Sequence, residues 1–165
     1  MPPVEPLRVY CIDSSSLIAL KEWRPLDVHP HVWAKLQLLI KDDRLIAPRA
    51  VLGEIKRGDD SLVRWANRQG KRMFRRHSHE LIGHVQAILA QFPNLVDEDQ
   101  PGNSADPYVV ALALMESRSL EGSDTIVVTE EKFALNATRI PQVCQAYNLA
   151  YLNVHQMFLF EKSPF

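Results

Sequence analysis

Four acidic positions interrupt otherwise apolar surroundings in this chain. Asp13 ends the run "RVYCI" and is followed by three serines, and Glu54 sits inside the short apolar segment "AVLGEI". Asp106 opens the apolar stretch "DPYVVALAL", and the pair Glu130–Glu131 follows "TIVVT". Singly, each has a structural explanation: Asp13 and Asp106 suit helix N-caps, with Pro107 at a first helical position. Glu54 suits a solvated helix face, and Glu130 and Glu131 suit a loop. Brought together, such carboxylates repel one another, and burial near like charge raises their pKa values unless cations neutralise them. An all-oxygen donor set matches hard divalent ions such as Mg²⁺ or Mn²⁺. Such an ion orients a phosphate, acidifies a bound water and stabilises a leaving oxygen, which is the chemistry of phosphodiester hydrolysis. Ser15, or its neighbour Ser14, is placed to orient a carboxylate, although a serine after a strand equally suits a turn or a cap.

The elements that must position these acids follow from local pattern. β-branched and apolar runs predict strands at 7–12, 44–48, 124–129 and 150–153. Helical spacing predicts helices over "SSSLIALKEW", "HPHVWAKLQLLIKDD", "AVLGEIKRG", "SLVRWANRQ" (ended by Gly70), "HELIGHVQAILAQF", "DPYVVALALMES", "IPQVCQAYNL" and "VHQMFLFEK". A long polar segment, "PNLVDEDQPGNSAD", reads as a functional loop. The sequence contains no internal repeat. The order predicts one α/β domain over 1–165, a three-layer sandwich around a mostly parallel sheet. In such sheets chemistry gathers at the carboxyl ends of strands near the topological switch point, where Asp13 is expected.

With 165 residues, 46% hydrophobic and 24% charged, the chain has the material for one core and the balance of an ordinary globular domain. A net charge of −1 gives no global signal for nucleic acid or membrane. Cys11 and Cys144 fit no zinc spacing and read as buried thiols. No apolar run approaches the roughly 20 residues a membrane helix needs, and the N-terminus lacks a signal-peptide pattern, so a cytoplasmic protein is expected.

Locally the charge is uneven. Lys56, Arg57, Arg64, Arg68, Lys71, Arg72, Arg75 and Arg76 stand against Asp59 and Asp60, with Phe74, His77 and His79 among them. Such a tract contacts phosphates and stacks on unpaired bases, and a solvated helix face explains it equally well. His77, His79 and His84 lack HxxxH spacing, and neither a Gly-rich phosphate loop nor a GxSxG elbow is present.

The acidic motifs "CIDSSSLI", "VLGEIKRG", "ADPYVVALAL" and "IVVTEEKF" resemble, in order and over residues 9–133, those of the PIN-domain family of metal-dependent nucleases, in an extended branch with VapC-type toxins. The resemblance implies a PIN-like fold with Asp13, Glu54, Asp106 and Glu131 as the metal-binding catalytic acids. Glu130 is the other candidate for the fourth position. It implies Mg²⁺ or Mn²⁺ as cofactor, with Ser15 and Thr129 supporting the ligands. RNA is the implied substrate, met by Lys56, Arg57, Lys71, Arg72, Arg75 and Arg76. A cognate antitoxin or a second copy of the chain is the implied protein partner. Two alternatives stand beside this endoribonuclease: a catalytically weak PIN-like RNA- or protein-binding module, and a haloacid-dehalogenase-like phosphatase. The phosphatase pattern wants a second Asp two residues after the first, where this chain has Ser15.

Overall fold

The run "LRVYCI" forms the central strand of the sheet. In the computed structural model, which describes residues 7–58, 60–95, 104–119 and 123–165, β1 (Leu7–Ile12) lies between β2 (Leu45–Pro48) and a strand at Ser123–Val128. That strand is β4, because a two-residue strand, β3 (Phe74–Arg75), precedes it in the chain and pairs outside β2. β5 (Ala150–Leu152) pairs outside β4. The order is β3-β2-β1-β4-β5 and all four pairings are parallel. The central strands are apolar without alternation because both faces are covered: Val9–Ile12 and Leu45–Pro48 are buried throughout. The chain winds outward from β1 through β2 to β3, then returns to place β4 on the other side of β1. The switch point therefore lies between β1 and β4.

Among the described residues eight helices surround the sheet: α1 (Ser14–Trp23), α2 (Pro30–Lys41), α3 (Arg49–Ile55), α4 (Asp60–Met73), α5 (His79–Gln91), α6 (Asp106–Ser119), α7 (Ile140–Ala146) and α8 (Val154–Phe160). Adjacent residues of β1 show the two covered faces. Cys11 Sγ donates to the Val109 carbonyl of α6 at 3.4 Å. Tyr10 points the opposite way, and its hydroxyl donates to Glu161 Oε2, just past α8, at 2.6 Å. Glu161 also accepts from Arg44 at 2.7 Å and lies 3.7 Å from Lys35. Burial opposes the Glu161 charge, but the bonds from Arg44 and Tyr10 and the two cations outweigh it and hold the carboxyl below its usual range. The architecture is thus the expected three-layer α/β sandwich, with a fully parallel sheet and one strand more than the sequence predicts.

Gly70 does more than end a helix. Its backbone (φ 57°, ψ −145°) lies where only glycine sits without strain, and it breaks α4 so that residues 71–73 turn the chain into β3. Within the expected polar loop, Pro93–Leu95 forms a short 3₁₀ turn, whereas 96–103 and the acidic Asp59 lie outside the described residues. Among the described residues no helix is long and apolar enough to cross a membrane.

Candidate functional site

Asp13 follows β1 directly and is 2% exposed. It caps α1, with Oδ1 accepting from Ser16 N–H at 3.0 Å. Thr129 Oγ1 donates to Oδ2 at 2.5 Å, and Ser15 Oγ lies 2.8 and 2.9 Å from the two carboxylate oxygens. Both hydroxyls are themselves oriented by the end of β4. Glu131 N–H donates to Thr129 Oγ1 at 3.1 Å and Glu130 N–H to Ser15 Oγ at 3.2 Å. The carboxylate therefore joins the ends of the two central strands. Burial pushes Asp13 up to about 6, against the lowering effect of the Thr129, Ser16 and Ser15 bonds, and the Glu131 charge adds to the rise. Three donors on a group with about four acceptor sites leave one site open.

The remaining acids meet Asp13 across the switch point. Glu54 projects from the last turn of α3, and its Oε1 accepts from Ala105 N–H at 3.2 Å and Ser14 Oγ at 3.3 Å. Burial raises its pKa, opposed by those two bonds and by Arg57. Asp106 is the first residue of α6; the Ala105 carbonyl, rather than a residue at 106, receives the first helical bond, from Val109 N–H at 3.0 Å. Burial, then the charges of Glu131, Asp13 and Glu54, push Asp106 up to about 8, and a hydrogen bond to Glu131 adds to the rise. Glu131 Oε2 also accepts from Ile140 N–H at 3.0 Å, at the start of α7. Behind the site, burial and the charges of Asp13 and Glu131 push Cys144 up to about 12, and both cysteines are free and buried.

The neighbouring acid takes a different place. Glu130 Oε1 accepts from Val154 N–H at 2.9 Å and Ser16 Oγ at 3.3 Å, tying the start of α8 to α1. Adjacent residues leave the end of β4 in opposite directions, so it is Glu131 that reaches Asp106.

The four carboxylates act on one another electrostatically, and Asp13, Glu54 and Glu131 are each tied to their own hydroxyl or amide partners. Among the described residues no three His, Cys, Asp or Glu side chains stand in a ligating arrangement. The donor set itself suits a hard divalent cation: it is all oxygen, and the burial and mutual repulsion that raise Asp106 are what a cation would offset.

The basic tract divides. Lys71, Arg75 and Arg76 line a cleft of about 720 Å³ together with Arg49, whose part the sequence does not signal. Arg72 turns away, donating to the Lys41 carbonyl at 2.6 Å and lying 3.7 Å from Asp43. Lys56 and Arg57 follow α3, where the Arg57 charge acts on Glu54. Between cleft and acids, the rings of His77 and Tyr108 stack at 4.4 Å and 18°. Burial and the Arg49 charge hold His77 below its usual 6.5.

The raised acids fix the sign of a pH dependence. Asp106 near 8 and Asp13 near 6, against 3.8 unfolded, favour the folded state most when protonated. That stability is complete below the unfolded pKa and is lost as pH rises through the folded values. His77, being lowered, acts below 6.5 and in the opposite sense. In chelator, the melting temperature is therefore expected to fall between about pH 6.5 and 8.5, and Asp106→Asn to flatten that fall. Thermal melts across this window check both.

Fold and site together define an α/β protein with an acidic centre at the switch point of a parallel sheet. The chain belongs to the family described as Domain of unknown function (DUF4411), whose model matches residues 10–165 and so includes all four acids. No curated protein matches the chain.

Proposed function

We propose that this chain is a divalent-metal-dependent endoribonuclease that hydrolyses RNA phosphodiester bonds. One observation carries the reading: Asp13, Glu54, Asp106 and Glu131 come from four separate segments to the switch point, where burial and then the charges of the other three hold Asp106 up to about 8. The order of their motifs resembles the PIN-domain nucleases, and the choice of RNA rests on that resemblance. Asp13, Asp106 and Glu131, with Glu54 at their edge, would hold Mg²⁺ or Mn²⁺. The bound ion supplies Lewis-acid polarisation of a phosphate oxygen and a water of lowered pKa. Thr129 and Ser15 fix the Asp13 carboxylate, Ala105 N–H and Ser14 fix Glu54, and Ile140 N–H fixes Glu131. With the ligands already oriented, little reorganisation remains when substrate arrives. A cytoplasmic setting, with a cognate antitoxin or a second copy as protein partner, belongs to the same reading.

A second reading has one observation in its favour. Carboxylates satisfied by the chain's own donors, with no ligating group of three among the described residues, suit a PIN-like module that binds RNA or protein without cutting. Incubating a labelled single-stranded RNA with Mn²⁺, with Mg²⁺ and with EDTA separates the two. Internal cleavage with metal and none in EDTA is the expected result. RNA bound but intact in all three supports the binding module.

A further inference from the structure

We propose that the cleft between α3, the Gly70–Ser78 segment and α6 receives one unpaired nucleotide of the RNA strand, beside the acidic centre. The RNA identity of the ligand rests on the nuclease reading; the nucleotide chemistry rests on the cleft. At about 720 Å³ it is far larger than a phosphate ion needs and lies within the range of small-molecule sites. Its lining is divided in the way a nucleotide is divided. Arg49, Lys71 and Arg76 are exposed and cationic, which suits the sugar–phosphate. The half-buried Leu52 and Met115 offer apolar surface to a base, backed by the buried Phe74 and Leu112. A simple electrostatic track along the backbone would have no use for that apolar floor.

Two further features point to a ligand. Arg75 reaches Asp43 through its NH2 at 3.4 Å, but its Nε is shut off from solvent and has no hydrogen-bond partner among the described residues. A buried donor left open is uncommon, and it lies on an arginine that lines the cleft. The cleft also shares α6 with Asp106. Leu112 and Met115 lie six and nine residues along α6 from Asp106, about 9 and 14 Å at the helical rise. The stacked His77–Tyr108 pair stands in that interval, because Tyr108 is two residues past Asp106 and His77 follows Arg76. One strand laid along α6 would thus place a phosphate at the acids, a base near the ring pair and a second base in the cleft. A paired base cannot enter, since its face is stacked and its edge is occupied, so the cleft selects unpaired RNA.

The test measures binding rather than cutting. Fluorescence anisotropy in EDTA compares a labelled single-stranded RNA of about 12 nucleotides with the same RNA annealed to its complement. Met115→Trp fills the floor without changing charge and is expected to weaken single-strand binding at least about tenfold while leaving the duplex unchanged. The double variant Arg49→Ala/Arg76→Ala, at two exposed positions, is expected to weaken the single strand and lower its salt slope by about one for each phosphate no longer neutralised. Wild-type affinity in both variants, no RNA binding by the wild type, or equal loss for single strand and duplex overturns the proposal. Metal-dependent cleavage by variants that bind as wild type removes the cleft and keeps the nuclease. Binding abolished in the variants, with a wild type that never cuts, keeps the cleft and removes the nuclease.

Discussion

Replacing Asp106 by Asn is expected to lower metal-dependent RNA cleavage by at least about a hundredfold and to raise the thermal stability of the metal-free protein. Loss of supporting groups around a metal typically costs about 10–100-fold, and loss of a ligand charge costs more. The stability gain has a separate origin. Asp106 is pushed up to about 8 by burial and by the charges of Glu131, Asp13 and Glu54, and the amide keeps its shape while removing that conflict. Asp13→Asn is expected to abolish cleavage as well, but with a lower melting temperature. An amide NH₂ set against donors from Thr129, Ser15 and Ser16 N–H loses charge-assisted bonds and leaves a donor facing a donor. Opposite stability shifts with the same loss of cleavage would separate the charge of the site from the clamp at its base. Glu130→Gln is the control, expected to keep activity within about tenfold, because Glu130 is committed to the start of α8. Full activity in Asp106→Asn would falsify the nuclease reading of the acids. Initial rates with Mn²⁺ and melts in EDTA supply both readouts.

The largest stability effect is expected far from the acids. Glu161→Ala is expected to cost about 2–4 kcal/mol, since it strands a cation in a partly buried pair. Its carboxylate, with a side chain only 7% exposed, accepts from Arg44 at 2.7 Å and from the wholly buried Tyr10 hydroxyl at 2.6 Å. Removing it leaves Tyr10 without an acceptor and Arg44 without its counter-charge. Tyr10→Phe removes only one neutral donor and is expected to cost about 1 kcal/mol. At roughly 2–4 °C per kcal/mol for a chain of this size, the two variants differ clearly in a melt. Equal, small shifts for both would mean that the network contributes little beyond its surface neighbours.

The strands around the site were legible because burial on both faces leaves an unmistakable apolar run: "RVYCI" and "TIVVT" are β1 and the core of β4. Asp13 and Asp106 stood out for the same reason, as charges bordering runs that the pattern keeps apolar. β3 was not, because two residues carry no period and "FR" sits inside a basic tract that reads as surface. The choice between Glu130 and Glu131 depends on which way each leaves the end of β4, and neighbouring identical residues carry no sign of that. Arg49 was missed because it is a lone cation beside Pro48, brought to Lys71 and Arg76 only by the turn at Gly70 and the pairing of β3 with β2. Tyr108 reads as one more core residue of an apolar helix. Only the stack with His77, from a different segment, sets it apart.

The clamp between Asp13 and Thr129 joins residues 116 apart in sequence, while Glu54 is tied to Ser14 and Ala105 across 40 and 51 residues. The bonds that draw these segments to one place are therefore long-range, and the closure of β4 against β1 belongs to the slow, entropy-limited part of folding. The β1, α1 and α3 segments bring Asp13 and Glu54 together through Ser14 but by themselves leave the centre half built. The full mutual repulsion of the acids arises only when β4 docks on β1, so completing the acidic centre and completing the central sheet are one step. On a chain that has not closed β4 against β1, the four acids stay on separate segments and the acidic centre does not exist.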